Sequence, residues 1–247
     1  MSASFEDLRD TALSELKTLM DTMQNDPNSN GKGKILAYWL NDYARFLQKE
    51  KNFDSRKLIR YKRGSIVKVH LGYNIGSEEG GLHYAIVMDN DNQLSSPTLT
   101  VIPLTSIKPG IDVTKLHRSK ISLGDEVFQA LASNLEKELN SARTQITELK
   151  EKKSAGNANR AIISEKIASL EATVGYCNKM HTEVSRMKTG SIALVGQITT
   201  VSKIRIFDPR YHNDALARVR VSDKTLDLLD KKIAELYMCP YKKTDSK

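Results

Sequence analysis

The chain has 247 residues, 39% of them hydrophobic and 28% charged, an ordinary balance for a folded protein with room for one large core or two small ones. Disorder is therefore not the default, and no apolar run approaches the roughly 20 residues that span a bilayer. A formal net charge of +8 and a pI near 9.3 favour an anionic partner, nucleic acid first.

Residues 1–60 read as a helical extension with a basic linker. Ser4, with Asp7 three residues on, makes an N-cap, and Phe5, Leu8, Ala12, Leu16, Leu19 and Met23 then share one helical face. The polar stretch 25–33 breaks the pattern. A second helix carries Ile35, Leu36, Trp39, Tyr43, Phe46 and Leu47 on a stripe. Trp39 and Tyr43 have faces on which a base can stack, but apolar residues at this spacing are expected to be core. The run 49–63 gathers Lys49, Lys51, Arg56, Lys57, Arg60, Lys62 and Arg63, a solvated connector or a source of phosphate affinity. The N-terminus, amphipathic and partly acidic, does not read as a secretory signal.

Residues 61–124 are β-rich. Runs 65–71, 83–88 and 98–104 are short, dense in Val, Ile and Leu, and bounded by turn formers, as strands are. Between the first two lies a loop, 72–81, with four glycines (Gly72, Gly76, Gly80, Gly81), Asn74 and the pair Glu78–Glu79. Such a loop allows close backbone approach and suits binding. The polar link 89–97 predicts a hairpin, and 115–123 a further short strand.

From 125 to 188 the chain changes character. Phe128, Ala132, Leu135, Leu139, Ala142, Ile146 and Leu149 alternate at spacings of four and three, and so do Ile163, Ile167, Leu170, Val174, Cys177, His181 and Val184. With the breaker 154–159 between them, these arms predict an antiparallel coiled-coil hairpin whose apolar residues are used up in its own seam. Such an insertion should be removable. Residues 189–241 return to β-like segments at 191–201 and 203–207, one more candidate strand at 217–221, and a final helix capped by Ser222. Residues 242–247 are a tail. Cys177 and Cys239 read as free thiols of a reducing, cytoplasmic compartment.

The order Arg63-Gly64, apolar strand, Gly76-Ser77-Glu78-Glu79-Gly80-Gly81, strand, Ser96-Pro97-Thr98, strand ending Leu104-Thr105-Ser106 resembles the MazF/PemK family of toxin endoribonucleases. Residues 190–200 resemble that family's Gln-containing strand, and 222–237 its terminal helix. The resemblance does not take in 1–60 or 125–187. It implies an α+β fold: a small SH3-like antiparallel β-barrel with a C-terminal helix, here extended by the N-terminal helical hairpin and the coiled-coil insertion. It also implies a type II toxin that cuts single-stranded RNA without a cofactor or metal, works as a homodimer and is held by a cognate antitoxin protein.

Metal-free RNA cleavage uses the substrate's own 2′-hydroxyl as nucleophile. The protein must move two protons and stabilise charge on the phosphorane oxygens. Histidine suits the first task, and a hydroxyl or a cation the second. By resemblance the catalytic positions are His83, where the family has arginine, Thr105, which matches it, and the loop carboxylate Glu78. Arg63, Lys68, Ser77, Tyr84, Ser106, Lys108, Gln197 and Thr199 become candidates for RNA contact. Since His83 departs from the family, Lys68, Lys108 or Arg63 is needed as the cation. His70 and His117 are weaker candidates. The second class of reading is a non-catalytic binding module on the same barrel, a gyrase-directed CcdB-like toxin included. No Walker motif, paired metal-ligand carboxylates or CxxC set supports nucleotide hydrolysis or zinc chemistry.

Overall fold

The Val- and Ile-rich runs of 61–124 pair with one another. β1 (Ile66–His70), β2 (Leu82–Val87) and β3 (Thr98–Ser106) lie side by side, β2 and β3 antiparallel with Ala85 opposite Pro103 and Val87 opposite Val101. A computed structural model describes residues 3–29, 31–155, 159–185 and 190–239. The tail 242–247 and part of the 154–159 breaker thus lie outside the described residues.

The sheet continues as β4 (Ile121–Ser122), β5 (Ser191–Ala193), β6 (Thr199–Ser202) and β7 (Ile206–Asp208), in the order β4-β5-β3-β2-β1-β7, with β6 also on β3. Among the described strands the end members β4 and β7 do not pair, so the sheet is open rather than a closed barrel. The candidate strand at 217–221 is also absent. That segment supplies one isolated bridge, Ser65 with Arg220, and single bonds such as Val221 N–H to Gly64 O, too few for a ladder. The fold class is α+β with an antiparallel sheet.

By its contacts the chain divides into two compact units, Met1–Phe53 with His70–Leu82, and Asp54–Val69 with His83–Lys247. In the first, α1 (Phe5–Asn25) starts with the expected capping box, Ser4 and Asp7 each serving the other's backbone. α2 (Lys32–Glu50) crosses it so closely that a Cβ on Gly33 would stand 2.3 Å from Met20 O. Trp39 stacks on His70, ring centroids 4.5 Å apart, and flanks Tyr43 and Phe46. Trp39 is half-buried by these rings, but the expectation of core along both stripes is corrected: α1 has no buried residue, Ile35, Tyr43 and Leu47 of α2 are exposed, and of the two stripes only Leu36 is buried. The glycine loop belongs to this unit. It closes through Gly81 N–H to Gly72 O at 2.6 Å, and with α1 and α2 it borders an apolar groove of about 770 Å³.

In the second unit, α3 (Glu126–Ser154) and α4 (Arg160–Val184) form the predicted helical hairpin; residues 186–188, expected in the second arm, lie outside the described residues. The hairpin is not self-contained. Val127, Leu131, Leu135, Cys177, Met180 and Val184 are buried in one cluster with Ile66, Ile86, Ile102 and Leu104 of the sheet and Leu226 and Leu229 of α5 (Asp223–Tyr237). Val127 and Leu131 of that cluster stand one residue before Phe128 and Ala132 of the stripe read from the heptads, which the buried line joins at Leu135. Glu126 accepts from Ser222 N–H and the Thr225 hydroxyl, and Asn134 donates to Ala215 O. The base of the hairpin is core of this unit, and the expectation of a removable insertion is corrected.

Candidate active site

β-strand alternation decides which candidates share a face. The β2–β3 register, carried two residues past Ala85–Pro103, sets His83 opposite Thr105. The ring reaches the residue before Thr105: His83 Nδ1 lies 3.2 Å from Leu104 O. A carbonyl only accepts, so that bond needs the proton on Nδ1, and Nε2 then carries the lone pair of the neutral ring. His83 and Thr105 are both half-buried, reachable by a substrate yet held by the sheet. On its other side Thr105 faces Ile192 of β5, and Ser106 faces Ser191. Three strands thus fix the position of one hydroxyl.

Lys108 follows two residues after β3 and is exposed, at the end of the strand that carries Thr105. Gln197 lies in the segment linking β5 to β6, and Thr199 is the first residue of β6. Leu194 N–H bonds Pro103 O at 2.9 Å, Gln197 N–H bonds Leu194 O at 2.8 Å, and Thr199 stands opposite Val101. Gln197 is half-buried and Thr199 exposed, so this segment borders β3 on the side away from β2.

Other candidates are engaged elsewhere. Arg63 donates to Met88 O and to the carboxylate of Asp230, tying α5 to the sheet. Tyr84, one residue past His83, points to the opposite face and packs against the core. Lys68 goes with it. Its ammonium sits 5.7 Å above the Tyr84 ring and 5.5 Å above that of Phe207, and only 6% of the residue is exposed. Glu78 and Ser77 stand on the glycine loop of the first unit, where Glu78 accepts from Ile75 N–H at 3.4 Å and Asn74 donates to Glu79 O at 2.7 Å. His70 accepts from Gly72 N–H at 3.2 Å, and His117 lies 2.7 Å from the Ser119 hydroxyl. Each has a local structural partner.

Sequence reasoning missed Asp208. It lies opposite Lys68 across β1 and β7, 3% exposed, and accepts from the Tyr176 hydroxyl of α4 and from Leu216 N–H at 3.0 Å. Burial pushes its carboxyl up to about 6, against the Tyr176 hydrogen bond, which pulls down; Asp214 adds to the rise. Burial and the neighbouring Asp208 likewise raise Tyr176 above the ordinary tyrosine value. In sequence Asp208 opens a turn-like segment, and nothing marks it as a buried carboxylate. Among the described residues no group of three or more His, Cys, Asp or Glu side chains is gathered as metal ligands would be.

Residues 62–174, a little under half of the chain, match the family model described as PemK-like, MazF-like toxin of type II toxin-antitoxin system. The match begins just before β1 and runs through α3 into α4. It stops short of residues 190–200 and 222–237, the second piece of the resemblance. No curated protein matches the chain.

Proposed function

From the premise that this chain carries a PemK-like, MazF-like toxin domain, we propose that it is the toxin of a type II pair and cuts single-stranded RNA with His83 and Thr105. The observation that carries the reading is the contact of the His83 ring with Leu104 O, next to Thr105, and the β2–β3 register, extended from Ala85–Pro103, supports setting His83 opposite Thr105.

In the proposed reaction Nε2 of neutral His83 takes the proton from the 2′-hydroxyl as that oxygen attacks the adjacent phosphorus. The P–O5′ bond breaks, a 2′,3′-cyclic phosphate remains on the upstream fragment, and the protonated ring returns a proton to the leaving 5′-oxygen. Thr105 donates a hydrogen bond to a non-bridging phosphorane oxygen, and Lys108 supplies positive charge there. Gln197, Thr199 and Ser106 serve as polar contacts to the strand. Lys68 and Tyr84 fall on the other face of the sheet, and Arg63 is engaged by Asp230, so none of the three is needed in this scheme. Glu78 enters as a carboxylate whose part is tested by Glu78→Gln. A homodimer and a cognate antitoxin partner complete the proposal, on the strength of the family. No helix among the described residues is long and apolar enough to cross a membrane.

The test is chemical. Purified protein should cleave single-stranded RNA in EDTA and leave a 2′,3′-cyclic phosphate end. A strict need for a divalent ion, or a 5′-phosphate on the downstream product, contradicts the scheme. No cleavage of any single-stranded RNA would favour the binding-module reading.

A further inference from the structure

The basic linker and the loop after β7 meet in a concavity that no step of this reaction uses. It encloses about 380 Å³ and is walled by Arg56, Lys57 and Arg60 on one side and Arg210, Tyr211 and His212 on the other. The walls are fixed from beneath. Ile59 N–H donates to Arg210 O at 3.0 Å, and the Tyr61 hydroxyl to Pro209 O at 2.7 Å. Asp214 accepts from the backbone N–H groups of Arg210 and Tyr211 at 2.6 and 2.9 Å, setting the loop in place. Buried Leu58 and Ile59 form the floor.

Its cations are of two kinds. Arg56 is held by Asp54 at 2.9 and 3.2 Å, and Arg60 by Asp91. Lys57 and Arg210 form no ion pair with any described residue, and Arg210 Nε is buried without a hydrogen-bond partner. A buried guanidinium N–H is a strong donor, and an anionic oxygen is its best acceptor. Beside it Tyr211 is 54% exposed, offering an aromatic face to solvent.

We infer that this concavity is a second RNA site, holding a backbone phosphate between Lys57 and Arg210 while a base stacks on Tyr211. The inference rests on the RNA-cleaving reading above. Cations interleaved with an exposed aromatic ring suit a strand that presents a phosphate and a flat base together, more than an acidic protein segment, which presents charge alone. The charge distribution agrees: in the unit Met1–Phe53 with His70–Leu82 acidic side chains outnumber basic ones, so the excess of positive charge belongs to the unit that carries this surface.

Its place along β1 makes it useful. The strand leads away from the linker toward the glycine loop, and the bonds Val87 N–H to Ser65 O and Leu71 N–H to Gly81 O set His83 beside Val69, near the strand's far end. At about 3.3 Å per residue, the concavity and His83 lie on the order of 10–15 Å apart along β1. A strand of several nucleotides can occupy both.

The experiment measures binding of a fluorescent 2′-O-methyl RNA of about 12 nucleotides, which lacks the attacking hydroxyl, across a salt series, together with cleavage of a substrate of about four nucleotides. The full chain is compared with Lys57→Ala, Tyr211→Ala and the double variant Lys57→Ala/Arg210→Ala. Loss of two phosphate contacts should weaken binding roughly 10–100-fold at low salt and lower the magnitude of the log–log salt slope by about 1.4. Tyr211→Ala should weaken it roughly tenfold. Cleavage of the short substrate should be unchanged. Wild-type affinity and slope in the exposed-residue variants Lys57→Ala and Tyr211→Ala would overturn the second site while leaving the cleavage reading in place. Impaired cleavage of the short substrate would also overturn it, since the concavity would then be part of the cutting site. A wild-type protein that binds polyglutamate but not RNA would overturn both.

Discussion

Replacing Asp208 by asparagine should remove a pH dependence that the wild-type fold carries. Asp208 is 3% exposed, and burial holds its carboxyl at about 6, whereas the unfolded chain has it near 3.9. Folded-state pKa above unfolded-state pKa means that the native protein binds this proton more tightly. The group therefore adds stability as pH falls from about 6 toward 4 and takes it away as pH rises through that window. A difference of about two units corresponds to roughly 3 kcal/mol at most. The asparagine of Asp208→Asn has no charge to bury, and its Oδ1 can still accept from Leu216 N–H, so the variant should lack this contribution. Urea unfolding of both proteins at pH 4.5, 5.5 and 7, followed by a signal from the sheet unit, measures the difference. The wild-type free energy should fall relative to that of Asp208→Asn by on the order of 2 kcal/mol between pH 4.5 and pH 7, with equal m-values. Parallel profiles would refute the reasoning and mean that Asp208 is solvated or differently paired.

Leu131→Ala should destabilise the sheet unit by about 2–5 kcal/mol, because this fully buried α3 side chain fills the core shared with Ile86 and Leu226; denaturant midpoints measure it. For the same reason, replacing residues 126–184 by a short loop should abolish cooperative unfolding of that unit, seen in calorimetry. Gly80→Ala should open the glycine loop, since the new Cβ would stand 2.8 Å from Gly72 O; faster amide exchange at Gly81 would report it. Ser222→Ala removes the side chain that accepts from Thr225 N–H at 3.2 Å and should cost about 1 kcal/mol of unfolding free energy.

What the sequence revealed was local. Ser4 and Ser222 lead short patterns that only helix starts satisfy, and the runs around Val67, Ile86 and Ile102 are too β-branched and too short for anything but strands. His83 and Thr105 were found by motif order, and strand register then put them opposite one another. The misses are long-range. Val127 and Leu131 lie off the heptad stripe, and a stripe such as the one that holds Leu135 is the same whether it meets a partner helix or a sheet, so none of the three gave a sign that it closes the core with Ile66. Asp208 in Asp-Pro-Arg-Tyr-His-Asn-Asp reads as a turn former, and only the arrival of Tyr176 from α4 makes it a buried carboxylate. Arg63 looked like a free cation until α5 brought Asp230 to it. Closure of the sheet into a barrel was implied by the resemblance, yet it depends on the edges, where β4 has two residues and β7 three.

The central claim is that His83 moves protons during RNA cleavage. It is tested most directly by single-turnover cleavage of a saturating single-stranded RNA in EDTA, wild type against His83→Ala. The proposed chemistry predicts a rate loss of about 10²–10⁴-fold with RNA affinity nearly unchanged, and a smaller loss for Thr105→Ala. Cleavage by His83→Ala at the wild-type rate would contradict it.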